Sequence, residues 1–147
     1  MNFGIYLDNL AKDKIVDQAI EATTQALTSG YKDSSIFYKD YGILSKQPKC
    51  GLFNSTELCY FNGVLVVTFL DGIRTALKEI NNRELYFYYG FEQEKNLFGY
   101  LQVLSDKNVK ILSPKEHLDF VKRKLNRSDV ITCDNLHNVV EVINEQK

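Results

Sequence analysis

Asp8 and Asp71 each stand just beyond a short apolar run, Phe3–Leu7 and Val64–Phe69. Two carboxylates placed this way could hold Mg²⁺ for phosphotransfer, since a hard dication takes oxygen ligands. That chemistry also calls for a hydroxyl after the fourth apolar run and a lysine after the fifth. Here the fourth run ends in Tyr89-Gly90, and Lys115 lies past Pro114 at a helix start, so the match is poor. Thiol chemistry has three candidates, Cys50, Cys59 and Cys133, and imidazole chemistry two, His117 and His137. Only Cys133 and His137 sit at a spacing that could pair them, and a buried strand cysteine is the favoured reading. No C-x-x-C pair and no short histidine spacing suggests zinc, and no metal is expected. A G-x-S-x-G elbow is absent as well. No catalytic residue can be named.

A bound nucleotide needs a phosphate cradle. The dinucleotide fingerprint places glycines between the first strand and first helix so that backbone can approach the pyrophosphate. That loop here is Asp8-Asn9-Leu10-Ala11-Lys12-Asp13-Lys14, with no glycine, and there is no P-loop elsewhere. NAD, FAD and a phosphate held in the usual cradle are disfavoured, and no cofactor is expected.

What packing explains least is the segment from Cys50 to Gly63, with Phe53, Asn54, Ser55, Thr56, Tyr60 and Phe61. A long irregular insertion between strands is often functional, and these aromatic and amide side chains could line a pocket or a partner surface. Tyr89 and Phe91, at the end of an aromatic run, are expected to be exposed beside it. Asp8, Asn9, Asp71, Tyr89 and Glu92 complete the candidate surface, because each follows a strand. Asp71, Ser113 and Asp134 also stand where helix caps are needed, and capping is the favoured role for those three.

The elements that must position these residues alternate along the chain. Short β-rich runs at 3–7, 35–38, 64–69, 85–89, 109–112 and 130–133 are separated by segments with apolar residues at helical spacing. Val64–Phe69 is unbroken and apolar, as suits a central parallel strand covered on both faces. Gly30 closes the first helix, and Ser113-Pro114-Lys115-Glu116 carries a serine cap, a first-turn proline and a glutamate three residues on. Asn54 can cap a short helical turn over 57–61. The pattern implies an α/β fold, a Rossmann-like open and mostly parallel six-stranded sheet with helices on both faces. The strand order 3-2-1-4-5-6 is expected. Residues 1–147 read as one domain, with an irregular insertion at about 40–63.

Composition narrows the partners. Hydrophobic residues are 44% and charged residues 25% of the chain, with 18 basic and 19 acidic side chains and a net charge of −1. Nucleic-acid binding usually needs a basic surplus or face. The densest basic run, Lys122-Arg123-Lys124 with Arg127, reads as a solvated helix face. No apolar run approaches the roughly 20 residues that cross a bilayer. The start of the chain carries no basic region followed by an apolar stretch, so the two Asn-x-Ser/Thr triplets at Asn54 and Asn126 are not expected to be glycosylated. A soluble, cytoplasmic protein is expected.

Three stretches carry a resemblance: Ser35–Tyr38, Cys50–Leu58 with Phe61-Asn62-Gly63, and Tyr86–Glu92. With them the chain resembles small α/β proteins of tailed bacteriophages, some similar to the N-terminal, acceptor-side half of two-domain B-type glycosyltransferases. The resemblance implies a Rossmann-like fold, location in a host cytoplasm or a virion, and a link to nucleotide-sugar chemistry. Such enzymes bind the nucleotide-sugar chiefly in a second domain, for which no residues remain here. The expected function is therefore a non-catalytic binding module that engages a protein partner or itself. An enzyme or half-enzyme of nucleotide-sugar chemistry and a virion accessory protein are the alternatives.

Overall fold

A computed structural model describes residues 1–78, 83–90 and 97–147. Seven strands form one sheet: β1 (Asn2–Asn9), β2 (Ser34–Asp40), β3 (Gly51–Asn54), β4 (Gly63–Val67), β5 (Arg83–Tyr88), β6 (Val109–Ser113) and β7 (Ile131–Thr132). Their order is β3-β2-β1-β4-β5-β6-β7, and every pairing is parallel. Among the described residues five α-helices accompany them: α1 (Lys14–Thr28), α2 (Leu70–Lys78), α3 (Leu97–Leu104), α4 (Leu118–Leu125) and α5 (Val139–Glu145).

Parallel strands need crossovers, and crossovers cover both faces of the sheet with helices. Two apolar cores result. Phe3, Ile5 and Leu7 of β1, with Val64, Val66, Tyr86 and Tyr88, pack against α1 and α5. Tyr6, Phe37, Leu65, Val67 and Phe87 pack against α2, α3, α4 and Leu58 on the other face. Along β4 all four residues Val64–Val67 are fully buried, as expected of a strand with a core on each side. Gly63 opens that strand at φ +146°, and a Cβ there would overlap the Asn2 carbonyl oxygen. Only glycine can begin β4 so close to β1.

Two sequence expectations are corrected here. The insertion at 40–63 is not wholly irregular, because Gly51–Asn54 forms the seventh strand, at the outer edge beside β2. A four-residue strand between a glycine and an asparagine is too short to show a period. This strand takes the third place in the order, so the run at 64–67 is the fourth and lies beside β1, not at the edge. An unbroken apolar run needs a neighbour on both sides, and the edge would have left it exposed.

The helix caps also differ. Ser113 is buried at the end of β6, and its hydroxyl donates to the Pro114 carbonyl. The Lys115 amide instead donates to Asp134 Oδ1, at 2.8 Å, from the loop after β7. Asp134 therefore caps the turn leading into α4, across the chain from its own helix. Asp71 lies inside the first turn of α2, pairing with Arg74 at 3.5 Å. The Gly30 expectation holds: at φ +92° it lets the Tyr31 amide turn back to the Ala26 carbonyl.

Candidate functional site

In an open parallel sheet the ligand crevice lies beyond the strand C-termini where the order reverses, here between β1 and β4. Asp8 and Asn9 are exposed at that end of β1. Beside them the described residues pack closely. Thr68, buried, directs both its amide and its hydroxyl to the Tyr6 carbonyl, each at 3.2 Å. The Phe69 ring meets Tyr6 edge-on, with centroids 4.8 Å apart, and Leu70 is buried behind it. On the other side, Gly42 presses on the Leu10–Ala11 backbone so closely that a Cβ would overlap the Leu10 carbonyl oxygen. The segment after β2 thus lies over the loop that would hold a phosphate. It is tied to α1 by Ser45 on Asp17 and by Lys46 on Glu21 at 2.9 Å. Among the described residues, no three His, Cys, Asp or Glu side chains converge as a metal set.

The Cys133–His137 pairing does not form a nucleophile. The Cys133 thiol is buried and donates to the Asn135 carbonyl at 3.3 Å, and burial pushes its pKa up to about 12. A thiol held protonated attacks nothing at neutral pH. Burial likewise raises the pKa of the Tyr88 phenol, which donates to the Asp134 carbonyl at 3.1 Å.

The 50–63 segment does build a surface feature. β3 runs into a 3₁₀ turn, Ser55–Tyr60, that doubles back over the second face of the sheet. Asn54 caps this turn by accepting from the Thr56 amide at 3.1 Å. The predicted cap is therefore present, and Asn54, Ser55 and Thr56 serve the turn. Leu58, fully buried, pins the turn to the second core. Phe61 follows it and lies over Gly4, where a Cβ would come within 2.9 Å of the ring.

Between turn and sheet is a hollow of about 160 Å³ lined by Ser35, Phe37, Phe53, Glu57, Tyr60 and Phe61. Phe37 forms its floor, with ring centroids 5.8 Å from Phe53 and 5.2 Å from Phe61. Phe53 remains 42% exposed and Tyr60 82% exposed at the rim. A second hollow of about 670 Å³ lies on the other side of β3, lined by residues 41–48 with Cys50 and Leu52. Tyr41 and Ile43, 74% and 81% exposed, border it.

The candidate surface thus divides. Phe53, Tyr60 and Phe61 come together, with Asn54, Ser55 and Thr56 shaping their turn. Tyr89 does not join them: it follows β5, four strand steps from β3 or roughly 19 Å away. Its amide donates to the Leu112 carbonyl at 2.8 Å, and its ring packs on the second core. Asp8, Asn9 and Asp71 lie at the other end of the sheet from the hollow's Ser35, the second residue of β2. Glu92 and Phe91 fall outside the described residues. Phe37 and Ser35 are not among the candidate surface residues read from the sequence. Their signal is the alternation in Ser35-Ile36-Phe37-Tyr38, which sets Phe37 on the face opposite Ile36.

No helix among the described residues is long and apolar enough to cross a membrane. No protein-family model matches the chain, nor does any curated protein or any solved structure.

Proposed function

We propose that the chain is a non-catalytic binding module on a Rossmann-like scaffold, engaging a protein through the surface built by residues 50–63. The observation that carries this reading is the aromatic hollow of about 160 Å³ beside an edge strand. Sites for nucleotides and other small ligands usually enclose about 300–1,000 Å³. A cavity of about 150 Å³ is enough for a single benzene-sized group. The hollow therefore suits one apolar side chain of a partner, and Tyr60 and Phe53 at its rim are the residue types that anchor protein interfaces. The loop between β1 and α1 has no glycine and Gly42 presses on its Leu10 carbonyl, which weighs against a phosphate in the usual cradle.

The alternative is nucleotide-sugar chemistry by a half-enzyme, which rests on the resemblance alone. One experiment separates the two. N-acetylphenylalaninamide, titrated into labelled protein, should shift the NMR signals of Phe37, Phe53, Tyr60 and Phe61, and Tyr60→Ala should abolish the shifts. Nucleotides and nucleotide-sugars, with and without Mg²⁺, should leave the signals of Asp8, Asn9 and Thr68 in place. Saturable nucleotide-sugar shifts at Asp8 and Asn9, with none at the hollow, would overturn the module reading.

A further inference from the structure

We propose that the hollow takes the trimethylammonium head of a methylated lysine on a partner protein; this rests on the binding-module reading above and names the chemistry of its ligand. Of the six residues that line the hollow, three are phenylalanines, one is a tyrosine and one, Glu57, is an acid; none is basic. The ring planes of Phe37 and Phe61 are 71° apart and those of Phe37 and Phe53 30° apart, so the rings form a corner and not a flat stack. An aromatic ring is negative over its face, and grouped rings bind quaternary ammonium ions. Glu57 adds a full negative charge at the same place. It is exposed, and among the described residues no ion pair or hydrogen bond engages its carboxylate. A neutral guest leaves that carboxylate without a counter-charge.

Size and hydration select among cations. A trimethylammonium head is no larger than a benzene ring, which a cavity of about 150 Å³ accepts, and the hollow is of about 160 Å³. An unmethylated lysine ends in a strongly hydrated ammonium rich in donors. On entry it exchanges water for a lining whose side-chain acceptors are Glu57 and the hydroxyls of Ser35 and Tyr60. The same holds for a guanidinium, whose donors are more numerous still. Methylation of lysine keeps the charge and removes the donors, so methyl groups meet the rings while the charge meets Glu57. The position of the hollow selects a protein as the carrier. Phe53 is at once its wall and a residue of β3, the outer strand of the sheet. An edge strand offers its main chain to an extended segment, and such strand addition is a recurring mode of peptide capture. The lysine then enters the hollow while its neighbours pair along residues 51–54.

The test is an NMR titration of the labelled chain with an acetylated and amidated Thr-Val-X-Val-Thr peptide, β-prone by composition. X is trimethyllysine, lysine, arginine or the uncharged tert-butyl isostere of trimethyllysine. The trimethyllysine peptide should shift the signals of Phe37, Phe53, Tyr60 and Phe61 saturably, and the amides of residues 51–54 with them. It should bind roughly two- to thirtyfold tighter than the tert-butyl peptide, the advantage a cation gains over rings. Glu57→Gln removes the charge and keeps the shape at an exposed position. It should weaken the trimethyllysine peptide several-fold and leave the tert-butyl peptide as it was. Equal binding of the tert-butyl, lysine or arginine peptide, or indifference to Glu57→Gln, overturns the assignment. Choline and phosphatidylcholine vesicles test other carriers of the same head. If choline binds as tightly as the peptide, or the chain sediments with the vesicles, the protein carrier is overturned. If every cation fails while N-acetylphenylalaninamide still shifts Tyr60, this inference falls and the module reading stands. If both fail, the module reading falls too.

Discussion

Arg127 shows how much one side chain can hold. Only 8% exposed, it places Nη1 on the carbonyls of Leu104 and Asp106, at 2.9 and 3.2 Å, and grips Asp129 with Nε and Nη2 at 2.8 and 2.6 Å. The guanidinium thereby ties the end of α3 to the segment entering β7. The sequence placed Arg127 within a basic run on a solvated face, because charge alone does not reveal which arginine turns inward. Arg127→Ala should lower the unfolding free energy by about 2–3 kcal/mol in urea titration, from charged hydrogen bonds lost and carbonyls left unpaired. Arg127→Lys should recover little of that, since an ammonium cannot reproduce the fork. Cys133 sets a pH dependence. Its folded pKa of about 12 lies above the ordinary 9.0, so above pH 9 the unfolded thiol loses its proton while the folded one keeps it. Stability attributable to this group is fully present below pH 9 and is lost as pH rises toward 12. Thermal melts of Cys133→Ala should therefore show a lower Tm at neutral pH but a shallower alkaline decline than the unaltered chain.

At the scale of elements, the caps separate roles that sequence position alone could not. Ser113, Asp71 and Asp134 all precede or open helices, yet only Asp134 takes an orphan amide among these three, that of Lys115. Asp134→Ala should cost about 1 kcal/mol, the usual cost of a lost cap. Asp71→Ala, which removes an exposed pair with Arg74 and a first-turn charge, should cost no more than about 0.5 kcal/mol. Chemical denaturation of both variants checks the contrast. The alternation of strands and helices was legible because Val64–Val67, Ile73 and Ala76, and Leu136 and Val139 carry periods that packing demands. What hid β3 was its length, and what hid the hollow was topology. Phe37 belongs to a strand with apolar residues on both faces, so no pattern along it shows which face lies open at the sheet edge. That depends on the 3₁₀ turn ending short of full coverage, a fact of three-dimensional packing. Tyr89 is misplaced for a related reason: nearness to the insertion depends on strand order, and β4, β1 and β2 stand between β5 and β3.

At the scale of the whole molecule, β3 and its turn are attached to the rest through few elements. β3 pairs only with β2, and the turn is held chiefly by buried Leu58, whereas β1 and β4 lie in the middle of the sheet with a core on either side. Such a flap should open without the rest unfolding, as weakly tied units do. Two substitutions of similar size distinguish local from global opening. Ile5→Ala, fully buried in the first core, leaves the closed flap and the open flap equally affected, because β1 stays folded in both. It should speed hydrogen exchange in β1 and β4 and leave the rates at residues 51–54 unchanged. Leu58→Ala loses its contacts only while the flap is closed, so it destabilises the native state relative to the open flap and the unfolded chain alike. It should speed exchange both in β3 and in β4, by roughly a hundredfold for a cost near 3 kcal/mol. Native-state hydrogen exchange makes the comparison. If Ile5→Ala speeds residues 51–54 as much as β4, the binding surface does not open on its own, and a partner meets it only as a rigid part of the sheet.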